Sequence, residues 1–191
     1  MGMYTGKRIF LTSILALSVA VVGCQRSEES LTTGGADDMR PDWGVVLPVQ
    51  EQAKLPEYCA RPSPPGLAGQ WTPGRAEIDR LERRLPAVVG KALARVILEM
   101  GETLPRPADY YRQYGGFYRN GRRVVFVCGL HRAFVEMTEQ TMERQAWTRR
   151  AMGADDGGLW ILGVLYDVEA DEFGPVQFEG RFSGSVRSRW F

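Results

Sequence analysis

The sequence predicts an α+β domain in which a helical layer packs on a four-stranded antiparallel sheet made of two hairpins. Three observations predict it: an apolar stripe with helical spacing follows Thr72, an Asn120-Gly121 pair separates two strand-like runs, and two more strand-like runs follow. One helical layer on one sheet is an economical way to bury both apolar surfaces. We expect this single domain over residues 58–184, followed by a tail at 185–191.

The predicted helical layer begins at Thr72, a residue type favoured at the N-cap, with Pro73 in the first helical position. Apolar residues then recur at three- and four-residue spacing as far as Val96. Pro86 lies inside this stripe, where a proline removes a backbone donor and crowds the preceding turn. The pattern therefore predicts one kinked helix or two short helices, ending at Gly101.

The first hairpin is predicted from Tyr110–Tyr118 and Arg122–Leu130. Asn120-Gly121 between them supplies the two positive φ angles of a type I′ turn. This turn sets Phe117 opposite Val124 and Gly115 opposite Phe126. One face of the hairpin then carries mainly apolar residues, as a face directed to the core does, and the other face carries both apolar and polar residues. The core-like face carries Phe117, Val124, Phe126, Cys128 and Leu130; the mixed face carries Tyr114, Tyr118, Arg123, Val125 and Val127.

The second hairpin is predicted from Leu159–Val168, a nearly continuous apolar run, and from Pro175–Phe182, which alternates. A turn over residues 155–158 precedes it. Between the two hairpins, Arg132–Arg150 is compatible with a helix or with a loop.

The N-terminal residues have the pattern of an export signal. Lys7 and Arg8 precede an uncharged, mostly apolar run, Ile9–Gly23, of 15 residues. A membrane-spanning helix needs about 20 residues, so the run is typical of a secretory signal instead. It ends in Val21-Val22-Gly23-Cys24, which resembles the lipobox of bacterial lipoproteins. This resemblance implies that residues 1–23 are a removable signal peptide and that Cys24 carries diacylglycerol and palmitate-type acyl chains.

The resemblance also implies a location. In lipoproteins an aspartate after the cysteine often retains the protein in the inner membrane; Gln25 here implies the outer membrane, facing the periplasm. Two or three acyl chains anchor durably, because each buried methylene contributes about 0.8 kcal/mol. Residues 24–57 are polar and broken by prolines, and we expect them to form a flexible tether.

Two more cysteines, Cys59 and Cys128, would share an oxidising compartment. We expect a disulfide between them, contributing on the order of 4 kcal/mol in the chain-entropy account. Two free buried thiols are an alternative, and so is a catalytic thiol at Cys128 activated by His131. On a strand, however, the odd spacing of that pair places the side chains on opposite faces.

The sequence carries no recognisable catalytic, metal or cofactor set. A single histidine cannot form a typical zinc site, and Asp155 and Asp156 lack the spacing of a calcium loop. The net charge is +1, and without Lys7 and Arg8 of the signal it becomes −1, with 22 basic residues against 23 acidic ones. Such a balance excludes a typical nucleic-acid binder.

Tyrosines and arginines on the first predicted strand form the candidate interaction surface, because both types are enriched at protein interfaces. The alternative is that they occupy half-buried strand positions. The surface consists of Tyr110, Tyr114, Tyr118, Arg112 and Arg119.

The C-terminal half of the chain is similar to small uncharacterised bacterial envelope proteins, a resemblance that implies no activity. The residues that carry it are 110–114, 156–158 and 166–167. We expect a non-enzymatic, membrane-anchored lipoprotein that binds another envelope macromolecule, and we expect this macromolecule to be a protein. The alternatives are an enzyme or enzyme inhibitor acting on cell-wall material through carboxylates, and a structural or assembly factor of the envelope.

Overall fold

The computed structural model describes residues 43–60, 62–100 and 105–179, without the side chains of 97–100. The predicted signal peptide, Cys24, the first part of the tether and the tail at 185–191 lie outside the described residues. The helices are α1 (Val49–Gln52), α2 (Leu55–Cys59), α3 (Arg75–Glu82), α4 (Leu85–Met100) and α5 (Arg132–Glu139). The strands are β1 (Gly44–Val46), β2 (Leu67–Trp71), β3 (Tyr110–Arg119), β4 (Arg122–His131), β5 (Gly158–Asp167), β6 (Glu172–Phe173) and β7 (Gln177–Glu179).

The architecture is α+β, as predicted, but the sheet has seven strands and is mixed. Its order is β1-β3-β4-β5-β6, with β2 also paired to β3 and β7 also paired to β5. The pairing of β1 with β3 is parallel, whereas the other pairs are antiparallel. The predicted four-stranded sheet was too small because β1, β2 and β6 are too short to show a clear alternation in sequence.

The central hairpin, β3 and β4, forms with the predicted register. Asn120 and Gly121 have φ angles of 51° and 77°, as a type I′ turn requires. Phe117 pairs with Val124 and Gly115 pairs with Phe126. The local chemistry of the turn therefore determines the register of the longest pair of strands.

Helices cover both faces of the central strands, so the prediction of a single helical layer is wrong. One core lies between the sheet and α1, α2 and α5, and includes Leu55, Phe126 and Phe134. The other lies between the sheet and α3 and α4, and includes Leu81 and Val127. The second face of the hairpin, predicted to be mixed, is apolar enough at its centre to be buried, which requires a second layer.

The α3–α4 pair decides between the two predicted alternatives, one kinked helix or two short helices: there are two helices, but the second has 16 residues and is not short. The first starts after Gly74 rather than at Thr72, because Gly74 is the N-cap residue and its amide nitrogen donates to the Glu77 carboxylate. Pro86 is the second residue of α4. A missing backbone donor costs little in the first turn of a helix, so Pro86 marks a helix start rather than a kink.

Residues 43–57, which the sequence assigned to the tether, belong to the folded domain. Val45 and Leu47 are buried in the described core, and the Leu47 amide nitrogen donates to the Tyr114 carbonyl oxygen at 3.1 Å. The predicted domain boundary at residue 58 is therefore too late. The three consecutive apolar residues Val45, Val46 and Leu47 are sufficient to hold this segment on the sheet, because β3 supplies its backbone hydrogen-bond partners.

The remaining predictions for this part of the chain are resolved by the structure. Cys59 and Cys128 form a disulfide, with 5.6 Å between their Cα atoms, which links the end of α2 to β4. Within the ambiguous segment, α5 covers Arg132–Glu139 and a short 3₁₀ turn covers Ala146–Thr148. The second predicted hairpin exists as β5 with β7, and β6 lies between them in sequence.

Candidate functional site

The candidate interaction surface is mostly buried. Tyr110, Arg112 and Tyr114 expose only 2%, 6% and 1% of their areas. These residues alternate along β3 on the face that α3 and α4 cover. Tyr118, at the end of the strand, is 39% exposed, whereas Arg119 is half-buried and follows on the opposite face. The structure thus does not bring the five residues together on one open surface.

A cavity of about 640 Å³ opens instead where β1 begins beside β3; we call it the Arg112 cavity. Ligand sites in proteins commonly enclose roughly 300–1,000 Å³ and combine apolar walls with a few polar groups. The lining has this character. It consists of Trp43, Glu82, Pro86, Ala108, Tyr110, Tyr111, Arg112 and Arg132.

Arg112 forms the floor of this cavity and is held from several sides. Its Nε lies 3.3 Å from Glu82 Oε1, and its two terminal nitrogens donate to the carbonyl oxygens of Tyr110 and Pro107, each at 3.1 Å. The guanidinium carbon lies 4.5 Å from the centre of the Trp43 ring. A buried guanidinium requires such pairing, since an unpaired charge in the core would be very costly.

Glu82 joins this floor to the helical layer. It is the last residue of α3, and Tyr114 donates its hydroxyl to Oε1 at 2.5 Å. Burial raises the pKa of Tyr114 well above its usual value, and the charge and hydrogen bond of Glu82 raise it further. The phenol therefore stays protonated and remains a hydrogen-bond donor at any ordinary pH.

The aromatic walls are also fixed by their neighbours. The Tyr111 ring packs on Trp147 with 4.6 Å between ring centres. Tyr110 donates its hydroxyl to the Leu159 carbonyl oxygen at 2.5 Å, and burial raises the pKa of this tyrosine well above its ordinary value of 10. These rings therefore form preformed surfaces rather than mobile side chains.

The rim of the cavity carries a positive charge. Arg132, the first residue of α5, is exposed, and its side chain makes no hydrogen bond or ion pair with the residues that the structure describes. His131 precedes it and is the N-cap of α5, with Nδ1 accepting from the Ala133 amide nitrogen at 3.2 Å. Burial lowers the pKa of His131, which makes it neutral at neutral pH.

The structure separates the other candidate groups from this cavity. Asp155 and Asp156 lie in an exposed turn, with Asp156 at a φ of 62°. The disulfide occupies Cys128, so the alternative of a thiol activated by His131 is wrong for this state of the chain. Among the described residues, no group of three or more His, Cys, Asp or Glu side chains could hold a metal ion.

Sequence reasoning included Arg112 and Tyr110 in its candidate set but missed Trp43 and Glu82. The sequence did contain an indication that Glu82 belongs to the site. An arginine inside a strand that is otherwise apolar needs a buried counter-charge, and a carboxylate at the end of the predicted helix could supply it. For Trp43, which lay in the predicted tether, the sequence offered no comparable signal.

No protein-family model, curated protein or solved structure matches this chain. Within residues 43–60, 62–100 and 105–179, no helix is both long and apolar enough to cross a membrane.

Proposed function

We propose that the chain is an envelope lipoprotein, anchored through acyl chains on Cys24, whose domain binds an envelope ligand in the Arg112 cavity without catalysing a reaction. The observation that carries this proposal is the cavity itself: about 640 Å³, with aromatic walls around a buried arginine–glutamate pair. A charged pair is costly to bury. Its presence in the floor of a preformed cavity is therefore more typical of a ligand site than of packing alone.

The anchoring part of the proposal rests on the N-terminal sequence. The positive residues, the apolar run of 15 residues and the lipobox-like ending at Cys24 all favour export and lipidation. The Cys59–Cys128 disulfide is compatible with an oxidising compartment such as the periplasm, where disulfides persist. The proposed location is the periplasmic face of the outer membrane.

Binding is favoured over catalysis by the state of the lining groups. Arg112 and Glu82 are engaged with one another, and the raised pKa of Tyr110 keeps this phenol protonated, so it neither accepts nor readily releases a proton at neutral pH. Fixed polar groups in a preformed cavity orient a ligand well. They do not provide the exchangeable proton that acid–base catalysis uses.

Site-specific photocrosslinking in living cells tests the binding part. Ala108 lines the cavity and is exposed, so a benzophenone amino acid can replace it; Arg149, 59% exposed and outside the lining, is the matched control site. Irradiation should yield an adduct of defined mass only from position 108. The absence of an adduct there, or the same adducts from both positions, would refute binding in this cavity.

Labelling with radioactive palmitate tests the anchor separately. The native chain should take up label and sediment with membranes, and a Cys24→Ser variant should do neither. Label that persists in the variant, or a native chain that stays unlabelled, would contradict lipidation at Cys24 while leaving the cavity proposal intact.

A further inference from the structure

We infer that the Arg112 cavity is selective for a small organic monoanion: a carboxylate attached to a flat apolar ring. This inference rests on the proposed binding function and specifies its ligand class. It follows from the charges around the cavity, from the shape of its walls and from the groups that are already engaged there.

The charges that line the cavity leave one positive charge uncompensated. Glu82 and Arg112 neutralise each other at 3.3 Å, which leaves the exposed Arg132 at the rim. Nearby Asp109 is paired with Arg106, with 3.1 Å between Oδ1 and Nη2.

Two other groups lie close to the rim. Glu136 lies one turn along α5 from Arg132 and is not part of the lining; no ion pair joins the two within the described chain, but the negative charge of Glu136 partly offsets that of Arg132. His131 has a lowered pKa and is neutral at neutral pH. The side chains that line the cavity, Arg112, Arg132 and Glu82, therefore carry a net charge of +1, which Glu136 weakens from outside the lining.

This balance favours a single negative charge. A carboxylate near Arg132 is attracted to its guanidinium, and Arg112 is a second cation in the lining whose charge Glu82 largely offsets. A second negative charge on the ligand would face Glu82 without a further cation, and a positive ligand would be repelled by Arg132. A phosphate dianion or an amine therefore fits this site less well than a monocarboxylate.

The walls favour a flat apolar ligand. Trp43 and Pro86 provide ring surfaces, and Ala108 and Tyr111 also line the cavity, although the Tyr111 ring lies against Trp147 on the other face of β3. Because Arg112 packs on the Trp43 ring and Trp147 holds the Tyr111 ring, neither aromatic side chain needs to rearrange when a ligand binds. Preformed aromatic walls bind planar apolar groups at a low entropic cost.

Three probes with the same ring separate charge from apolar binding: 2-naphthoate, 2-naphthalenemethanol and 2-naphthylmethylamine. Their dissociation constants would be measured by isothermal titration calorimetry on the purified full chain at pH 7.5. We expect 2-naphthoate to bind about fivefold more tightly than the alcohol, and the amine to bind most weakly. Arg132→Gln should remove the preference for naphthoate over the alcohol, whereas Arg149→Gln, an exposed control outside the lining, should preserve it.

A cavity-filling variant, Ala108→Trp, controls for binding elsewhere on the chain. It should abolish binding of all three probes while circular dichroism shows an intact fold. Equal affinities of the three probes for the native chain, all lost in Ala108→Trp, would overturn the monoanion inference but preserve the cavity as a binding site. The inference would also be overturned if none of the probes binds, or if Ala108→Trp leaves their binding unchanged. In either case the photocrosslinking experiment would still test the proposed function independently.

Discussion

Arg112 and Glu82 form an ion pair that is almost completely buried, with only 7% and 9% of their side chains exposed. The pair joins the first part of β3 to the end of α3 and thereby connects the sheet to one of its two helical layers. It also forms the floor of the proposed binding cavity. Its energetic importance can be measured directly.

Replacing Glu82 by glutamine should lower the free energy of unfolding by about 3 kcal/mol, because it leaves the Arg112 charge buried without its counter-charge. Urea denaturation followed by circular dichroism measures this loss. Glu143→Gln is the matched control: the Arg149–Glu143 pair, at 2.8 Å, is exposed on both sides, and breaking it should leave the stability unchanged. Equal effects of the two substitutions would show that the Arg112–Glu82 pair is not buried in solution.

Gly44→Ala should destabilise the fold by about 1–3 kcal/mol through overpacking. A Cβ atom on Gly44 would lie 2.8 Å from the Tyr114 hydroxyl oxygen and 2.9 Å from its Cε2 atom, so β1 would have to move away from β3. Thermal and urea unfolding measure the effect. An unchanged stability would contradict the docking of β1 against Tyr114.

Gly90→Ala is the matched control, and it should raise the free energy of unfolding instead of lowering it. Gly90 lies inside α4, and the nearest atom to an added Cβ is Pro107 Cγ at 3.6 Å, an ordinary contact. Alanine restricts the unfolded chain, so this substitution should raise the free energy of unfolding by about 0.5–1 kcal/mol. A loss of stability would contradict the helical placement of residue 90.

Removal of the disulfide should lower the free energy of unfolding. A double Cys59→Ala, Cys128→Ala variant should lose about 4 kcal/mol, because the link closes a long segment between α2 and β4. Urea denaturation without reductant measures the loss, and Cys24→Ser, outside the described domain, should leave the domain's stability unaltered. Thiol titration of the native, unreduced chain should detect neither Cys59 nor Cys128; two reactive thiols there would contradict the link.

Stability should fall as pH decreases through the range of histidine titration. Burial lowers the pKa of His131 below its ordinary value of 6.5. The unfolded chain therefore binds a proton at a higher pH than the folded chain, so the free energy of unfolding decreases as pH falls below about 6.5. Protonation would also remove the Nδ1 acceptor that caps α5. Unfolding by urea at pH 8, 7, 6 and 5 measures the trend.

His131→Asn isolates this contribution. Asparagine caps helices well but does not titrate, so the variant should remain folded and lose most of the pH dependence between pH 7 and 5. If the native chain and the variant show the same dependence, other groups cause it and His131 does not.

The sequence alone predicted those parts of the structure that depend on neighbours in the chain. Asn120-Gly121 determines the hairpin register because its two residues tolerate positive φ. The stripe after residue 72 predicted α3 and α4, and Pro86 separated them because a proline is tolerated only in the first turn. The lipobox-like ending at Cys24 is a local pattern too, and the location it implies stays a prediction.

The candidate site, in contrast, was decided by contacts between distant segments. Arg112 was assigned to a candidate interaction surface, with a half-buried strand position as the alternative, and it is buried because Glu82 from α3 and Trp43 from before β1 contact it there. The local periodicity of the sequence does not predict that these distant residues come into contact. β1 contributes only three residues, and its parallel pairing with β3 depends on the whole sheet. Turns and helix ends are determined by short-range sterics, whereas burial of a charge depends on which distant partner the folded chain brings to it.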